Sequence, residues 1–314
     1  MQLLVRLDAW FYGSVPPERL GLLRLAIGGY SVIYLLSRAL HLTAAVRYPA
    51  SSFAPVGVAN LIRDPLPALW VYASVAAALV TGLLFTLGVA YRFVAPLFAL
   101  LLCWVMSYRH SWGMIFHTDN LLVLHVALLA MVPCADAYAL PFTRQLASKP
   151  AIVEPRHGWV VRSMCLVTVA AYLVAGLAKI EHTGWSWAGG DALREQVAYD
   201  AIRKIELGSV YSPIGTWLLP HTWLFAPLST FALATELLAP LALLGVRSAA
   251  VWAAAAWLFH LGVLALMAIA FPYPLSGCAF LGFFPLERMR SALLARRRKA
   301  RSPRATPPEP ERAA

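Results

Sequence analysis

The chain has 314 residues, 60% of them hydrophobic and only 13% charged, with a mean hydropathy of +0.67. Soluble domains carry about 25% charged residues, so these numbers exclude a water-soluble fold, and the lack of alternating ten-residue strands excludes a transmembrane β-barrel. The net charge of +11 does not point to nucleic acid, because nine of the 26 Lys and Arg residues fall in the last 27 positions.

Every backbone polar group must be satisfied inside lipid. Apolar runs of roughly 20 residues, the length that crosses a bilayer, recur along the chain. The expected fold is therefore all-α: a polytopic transmembrane helical bundle. Residues 1–17, with Trp10, Phe11 and Tyr12, read as a short interfacial segment rather than a cleaved signal peptide, since Arg6 and Asp8 interrupt any apolar core. Eight spans are expected within residues 18–287: 19–41, 67–90, 93–109, 119–135, 158–180, 222–245, 249–270 and 272–287. Between the fifth and sixth, apolar residues at helical spacing (Ala192, Val197, Ala201, Ile205) predict an amphipathic helix that Pro213, Gly215 and Pro220 end. Residues 288–314 read as a basic, proline-rich, disordered tail able to touch anionic lipid. The four cysteines lie in or beside the spans at spacings that fit neither zinc nor a disulfide framework.

Orientation follows from Lys and Arg in the short connections. One set of connections holds Arg92, then Arg144, Lys149, Arg156 and Arg162, then Arg247. The opposite segment from Lys179 to Glu206 has four basic and five acidic residues. Both termini are thus expected in the cytoplasm, most naturally of a bacterial inner membrane.

An ionisable side chain at the centre of a span costs about 2.5–3.5 kcal/mol and needs a reason. Lys179 ends the fifth span, with Glu181 and His182 beside it and Trp185 and Trp187 just beyond. It reads either as a lysine snorkelling to the headgroups or as one held in a dry pocket, where desolvation makes it a usable base. "SYRHSWGMIFHTDNLLVLH" gathers Arg109, His110, His117, Asp119, Asn120 and His125 at the joint of the third and fourth spans. Asp119 and Asn120 are good helix caps. The set His117, Asp119, His125 matches no metal-ligand spacing, and no metal is expected. A cavity shared with Lys179 is the expectation. Glu236 and His260 lie midway along the sixth and seventh spans, where they could bond to each other as a clamp or line the cavity.

Four segments in this order, "PPERLGLLRLAIGGY", "HTDNLLVLHVALLAMVPCADAYAL", "YLVAGLAKIEHTGWSW", and "ELLAPLALL" followed by "FHLGVLALM", resemble the horizontally transferred transmembrane (HTTM) domain, the membrane part of vitamin K-dependent γ-glutamyl carboxylases. The resemblance implies an eight-to-nine-helix bundle with its active site toward the non-cytoplasmic side. It implies Lys179 as the base that deprotonates vitamin K hydroquinone. The Asn/His pair that holds the quinol oxygen corresponds only loosely to Asp119 and Asn120, with His117 adjacent. The carboxylases carry a large luminal domain that grips the propeptide, and the basic tail stands in its place here.

Two functions are expected from this reading. One is an enzyme of the carboxylase or epoxidase kind, a lyase or oxidoreductase acting on a reduced quinone or another lipid-soluble substrate. Lys179 is its base, His117, Asp119, Asn120 and Trp185 bind substrate, and Glu236, His260 and Arg109 line or brace the pocket. The other is a non-catalytic membrane factor in the maturation or export of a secreted peptide.

Overall fold

The computed structural model of the chain describes residues 2–113, 115, 117–140 and 157–301, and not the side chains of 2–4, 117, 118 and 298–301. Arg144, Lys149 and Arg156 of the orientation argument, and the tail from residue 302, lie outside the described residues. In chain order the helices are α1 (Gln2–Phe11), α2 (Pro17–Ser37), α3 (Ala39–Thr43), α4 (Ala68–Leu87), α5 (Tyr91–His110), α6 (His117–Ala130), α7 (Gly158–Thr183), α8 (Asp191–Glu206), α9 (Pro213–Leu218), α10 (Phe225–Leu237), α11 (Val246–Met267), α12 (Pro272–Leu275) and α13 (Leu286–Arg301). Together they form an all-α membrane bundle.

Among the described residues five helical segments are long and apolar enough to cross a membrane: α2, α4, α5, the stretch from the start of α7 through Gly189, and α11. Their inner faces, joined by α6 and α12, meet in one core that includes Leu23, Ile27, Leu35, Phe85, Phe98, Leu102, Met164 and Ala249 with Leu129 of α6 and Tyr273 of α12. Their outer faces keep Leu36, Trp70, Phe93, Leu100, Val174 and Val251 exposed. So much apolar surface is untenable in water and is what contact with lipid tails requires.

The remaining expected spans depart from regular helices, each for a local reason. The fourth is the 14-residue α6, about 21 Å long at 1.5 Å per residue, short of the roughly 30 Å hydrocarbon core. In the sixth, α10 stops at Leu237 and continues as a 3₁₀ stretch, Ala239–Leu244. Pro240 causes the break: it has no N–H to give the Glu236 carbonyl one turn back, and its ring clashes there. The eighth is not one helix. It folds as the four-residue α12 and a 3₁₀ stretch, Cys278–Phe283, because Pro272, Pro274, Gly277 and Pro285 break it. Irregular backbone survives at membrane depth only when protein covers it, and Tyr273, Pro274, Ala279 and Phe280 are buried accordingly.

At one end of the bundle α1 leans on α7, where Gly158 lies so close to the Gly13 carbonyl that a Cβ would come within 1.9 Å of its oxygen. There the Arg162 guanidinium covers the Trp10 ring at 5.0 Å. Arg19 holds Glu287 through two hydrogen bonds of 2.9 and 2.7 Å, fixing the root of α13 to α2. At the other end lies the expected amphipathic helix, α8. It buries Val197 and Ala201, but Ile205 points outward, and the buried face also holds Asp200. That carboxylate is compensated by Arg203 at 3.0 Å and Lys204 at 2.8 Å.

Candidate functional site

Lys179 lies near the C-terminal end of α7, and its ammonium meets both carboxylate oxygens of Glu236, at 2.5 and 2.6 Å. Sequence geometry brings them together. Gly176 is one turn before Lys179, and a Cβ there would lie 3.0 Å from the Glu236 Cβ, so glycine lets α10 approach α7. The carboxylate side chain is 4% exposed and the lysine 22%. The ammonium also stands 5.4 Å from the centre of the Trp187 ring, a cation–π contact. Trp187 is placed by the 3₁₀ stretch Gly184–Gly189, whose Trp187 carbonyl accepts from the Ser229 hydroxyl of α10. Glu181 and His182 are exposed and take no part.

Tyr172, two turns earlier on the same face of α7, donates to or accepts from His260 Nε2 at 2.8 Å. Tyr172 and His260 are packed among Trp252, Phe280, Phe259 and Phe271. The hydrogen bonds seen for Glu236 and His260 run to α7 rather than to each other. Both partners come from α7: Glu236 meets Lys179, and His260 Nε2 meets Tyr172.

The second polar cluster joins α2, α5 and α6. Asp119 accepts from the Tyr34 hydroxyl at 2.7 Å and faces His110 Nε2 at 3.2 Å. Next to it Arg109 donates from Nε and Nη2 to His41 Nε2, at 3.1 and 2.9 Å. That nitrogen must then be unprotonated, and His41 is neutral with its proton on Nδ1. Burial, followed by the charges of Arg109 and Arg38, holds the His41 pKa below its ordinary range. His125 turns the other way, into the core. Its Nε2 lies 3.2 Å from the Met164 carbonyl, which can only accept, so Nε2 carries the proton and Nδ1 accepts from Tyr273 at 2.7 Å.

The residues proposed from sequence thus divide. Lys179 and Glu236 come together. Asp119 is buried beside Arg109, but Asn120, 100° further round α6, is exposed. Trp185 is 71% exposed, and the His117 side chain lies outside the described residues. Asp119 and His125 point to different partners, so the metal-like set does not converge. Among the described residues no hydrogen bond or ion pair joins the Asp119 cluster to Lys179. Both lie at the end of the bundle where α2, α5 and α7 finish and α6 begins.

Sequence reasoning overlooked Tyr34, Tyr172, His41 and Arg38, and named Trp187 beside Lys179 without giving it a role. The spacing of Tyr172, Gly176 and Lys179 along one helical face was the available signal for one of them. Nothing local marked Tyr34 as the partner of a residue 85 positions away.

Among curated proteins and among solved structures nothing matches the chain. A family model described as the HTTM domain matches residues 12–285. That match takes in every helix from α2 to α12 and both polar clusters, and the chain is an integral membrane protein that belongs to the HTTM domain family.

Proposed function

We propose that the protein is a membrane enzyme that removes a proton from a lipid-soluble hydroxyl compound of the quinol class, with Lys179 as base and Glu236 as its proton-holding partner. The observation that carries this reading is the pair itself: a nearly sealed carboxylate bound through both oxygens by an amine that keeps one open side. A purely structural buried ion pair gains nothing from that opening.

The proton of the pair has two homes. Water on the open side favours separated charges. An apolar substrate that covers Lys179 removes that water, and the neutral pair gains relative to the ionic one. The proton then rests on Glu236, and the free amine takes the hydroxyl proton of the substrate, becoming ammonium again. Trp187 flanks the amine and Trp185 stands exposed beyond it, surroundings that suit an aromatic ring with few polar groups. A reduced quinone would supply four electrons in all, two in passing from quinol to quinone and two from the ring double bond that is epoxidised, and dioxygen would take them up as one epoxide oxygen and one water. We place the pair on the non-cytoplasmic side of a bacterial inner membrane, on the charge asymmetry of the connections.

The test uses the purified protein in nanodiscs with vitamin K hydroquinone and oxygen, and mass spectrometry for the epoxide and for copurified quinone. Wild type should form product, and Lys179→Ala and Lys179→Arg should each lose about 10²-fold or more, since arginine keeps the charge but cannot act as a base. Full activity of Lys179→Arg, or no product and no bound quinone with wild type, would reject the base. The second reading, an accessory factor for a secreted peptide, rests on the exposed aromatic residues at the same end, Tyr199, Trp217 and Trp223. It requires Lys179→Arg to retain biological function.

A further inference from the structure

We infer that Arg38, His41 and Arg109 form a binding site for an oxyanion, a phosphate or carboxylate group, separate from the Lys179–Glu236 pair and independent of the reaction proposed there. Arg109 is 9% exposed, yet two of its nitrogens donate to an imidazole nitrogen. That partner satisfies hydrogen bonds without supplying a counter-charge. Its Nη1 has no hydrogen bond among the described residues.

Arg38 closes α2 with its guanidinium 5.3 Å from the Tyr34 ring centre, and it has no carboxylate partner among the described residues. The buried carboxylate of the cluster, Asp119, is already engaged by Tyr34 and His110. His41 adds no positive charge, because burial and the two guanidiniums keep it neutral. Two permanent cations therefore stand against one anion.

A buried cation lacking a counter-ion is costly, and the site lowers that cost by taking an anion. Guanidinium forks fit phosphate and carboxylate oxygens in a bidentate manner. The neutral His41 ring fixes the plane of the Arg109 fork and leaves Nη1 to donate. The oxyanion can come from solution or from the headgroup of a phospholipid at the membrane face.

The two sources separate experimentally. Thermal unfolding of detergent-purified protein is followed with inorganic phosphate against chloride at matched ionic strength. In parallel, protein in phosphatidylglycerol nanodiscs is compared with protein in phosphatidylcholine. Arg38→Gln and Arg109→Gln are measured beside wild type. Stabilisation by phosphate assigns a free oxyanion, and stabilisation by phosphatidylglycerol alone assigns a headgroup. In either case both variants should bind about tenfold more weakly or worse, the usual effect of losing one charge-assisted hydrogen bond.

Arg38 is partly exposed, so Arg38→Gln serves as the deciding variant if Arg109→Gln does not fold. No stabilisation of wild type in either arm overturns the site. So does a response of Arg38→Gln equal to wild type, which would move the binding to other basic surfaces such as α13.

Discussion

The Lys179–Glu236 pair and the His125–Tyr273 contact are both polar links between helices, but they are built to opposite rules. His125 is 1% exposed and has partners at both nitrogens, from the α6 side to α7 and α12. Every group is satisfied without a formal charge, so the link costs little to bury and holds one geometry. The Lys179–Glu236 pair keeps two charges, one sealed and one partly open. Burying charges is expensive and seldom repaid in stability. The difference teaches where to look for chemistry in this bundle: at the polar contact that stability alone does not account for.

Breaking the two links one partner at a time should sharpen that contrast. The largest effect is expected from Lys179→Ala, which strands a carboxylate 4% exposed. Loss of about 3–5 kcal/mol is expected, measured by reversible denaturation in mixed detergent. The double variant Lys179→Met, Glu236→Leu should recover most of it, since apolar replacements of a buried pair are often neutral or better. A double variant as unstable as the single one would show that the pair is structural after all.

His125→Ala should follow, at about 2–4 kcal/mol from the lost packing and the stranded Tyr273 and Met164 groups, with no recovery from any single second change. Asp119→Asn should cost less, about 1–2 kcal/mol, because the amide oxygen still accepts from Tyr34 while the bond to His110 weakens.

The smallest effect belongs to the Arg19–Glu287 contact. Its hydrogen bonds to Arg19 hold the Glu287 pKa below the usual glutamate range. A lowered acid pKa adds stability above the unfolded value, about 4.3, and that stability is lost as pH falls through the folded pKa. Arg19→Gln should flatten this acid limb and cost no more than about 1 kcal/mol at neutral pH. Equal pH profiles for the variant and wild type would remove the contact from the account.

Much of this architecture was legible in the chain. Apolar length set the long helices, because a bilayer imposes that length on any spanning segment. The breaks after Leu237 and around α12, where continuous spans were expected, also have local causes in proline and glycine, since backbone geometry acts within one turn. The spacing of apolar residues between the charges of 191–206 announced α8, and the position of Lys179 beside Gly176 marked the helix end where the site lies. These features are local, and local sequence decides them.

Partner choice was not local. Glu236 and His260 sit on neighbouring spans and looked like natural partners, yet α7 presents Lys179 to one and Tyr172 to the other. Asp119 found Tyr34 across 85 residues of sequence, while Asn120 beside it was turned outward by the 100° step of the helix. Which faces of which helices meet depends on how the whole set packs, on close approaches such as Gly176 to Glu236, and on the cost of leaving any buried polar group without a partner. Only the tertiary structure decides that.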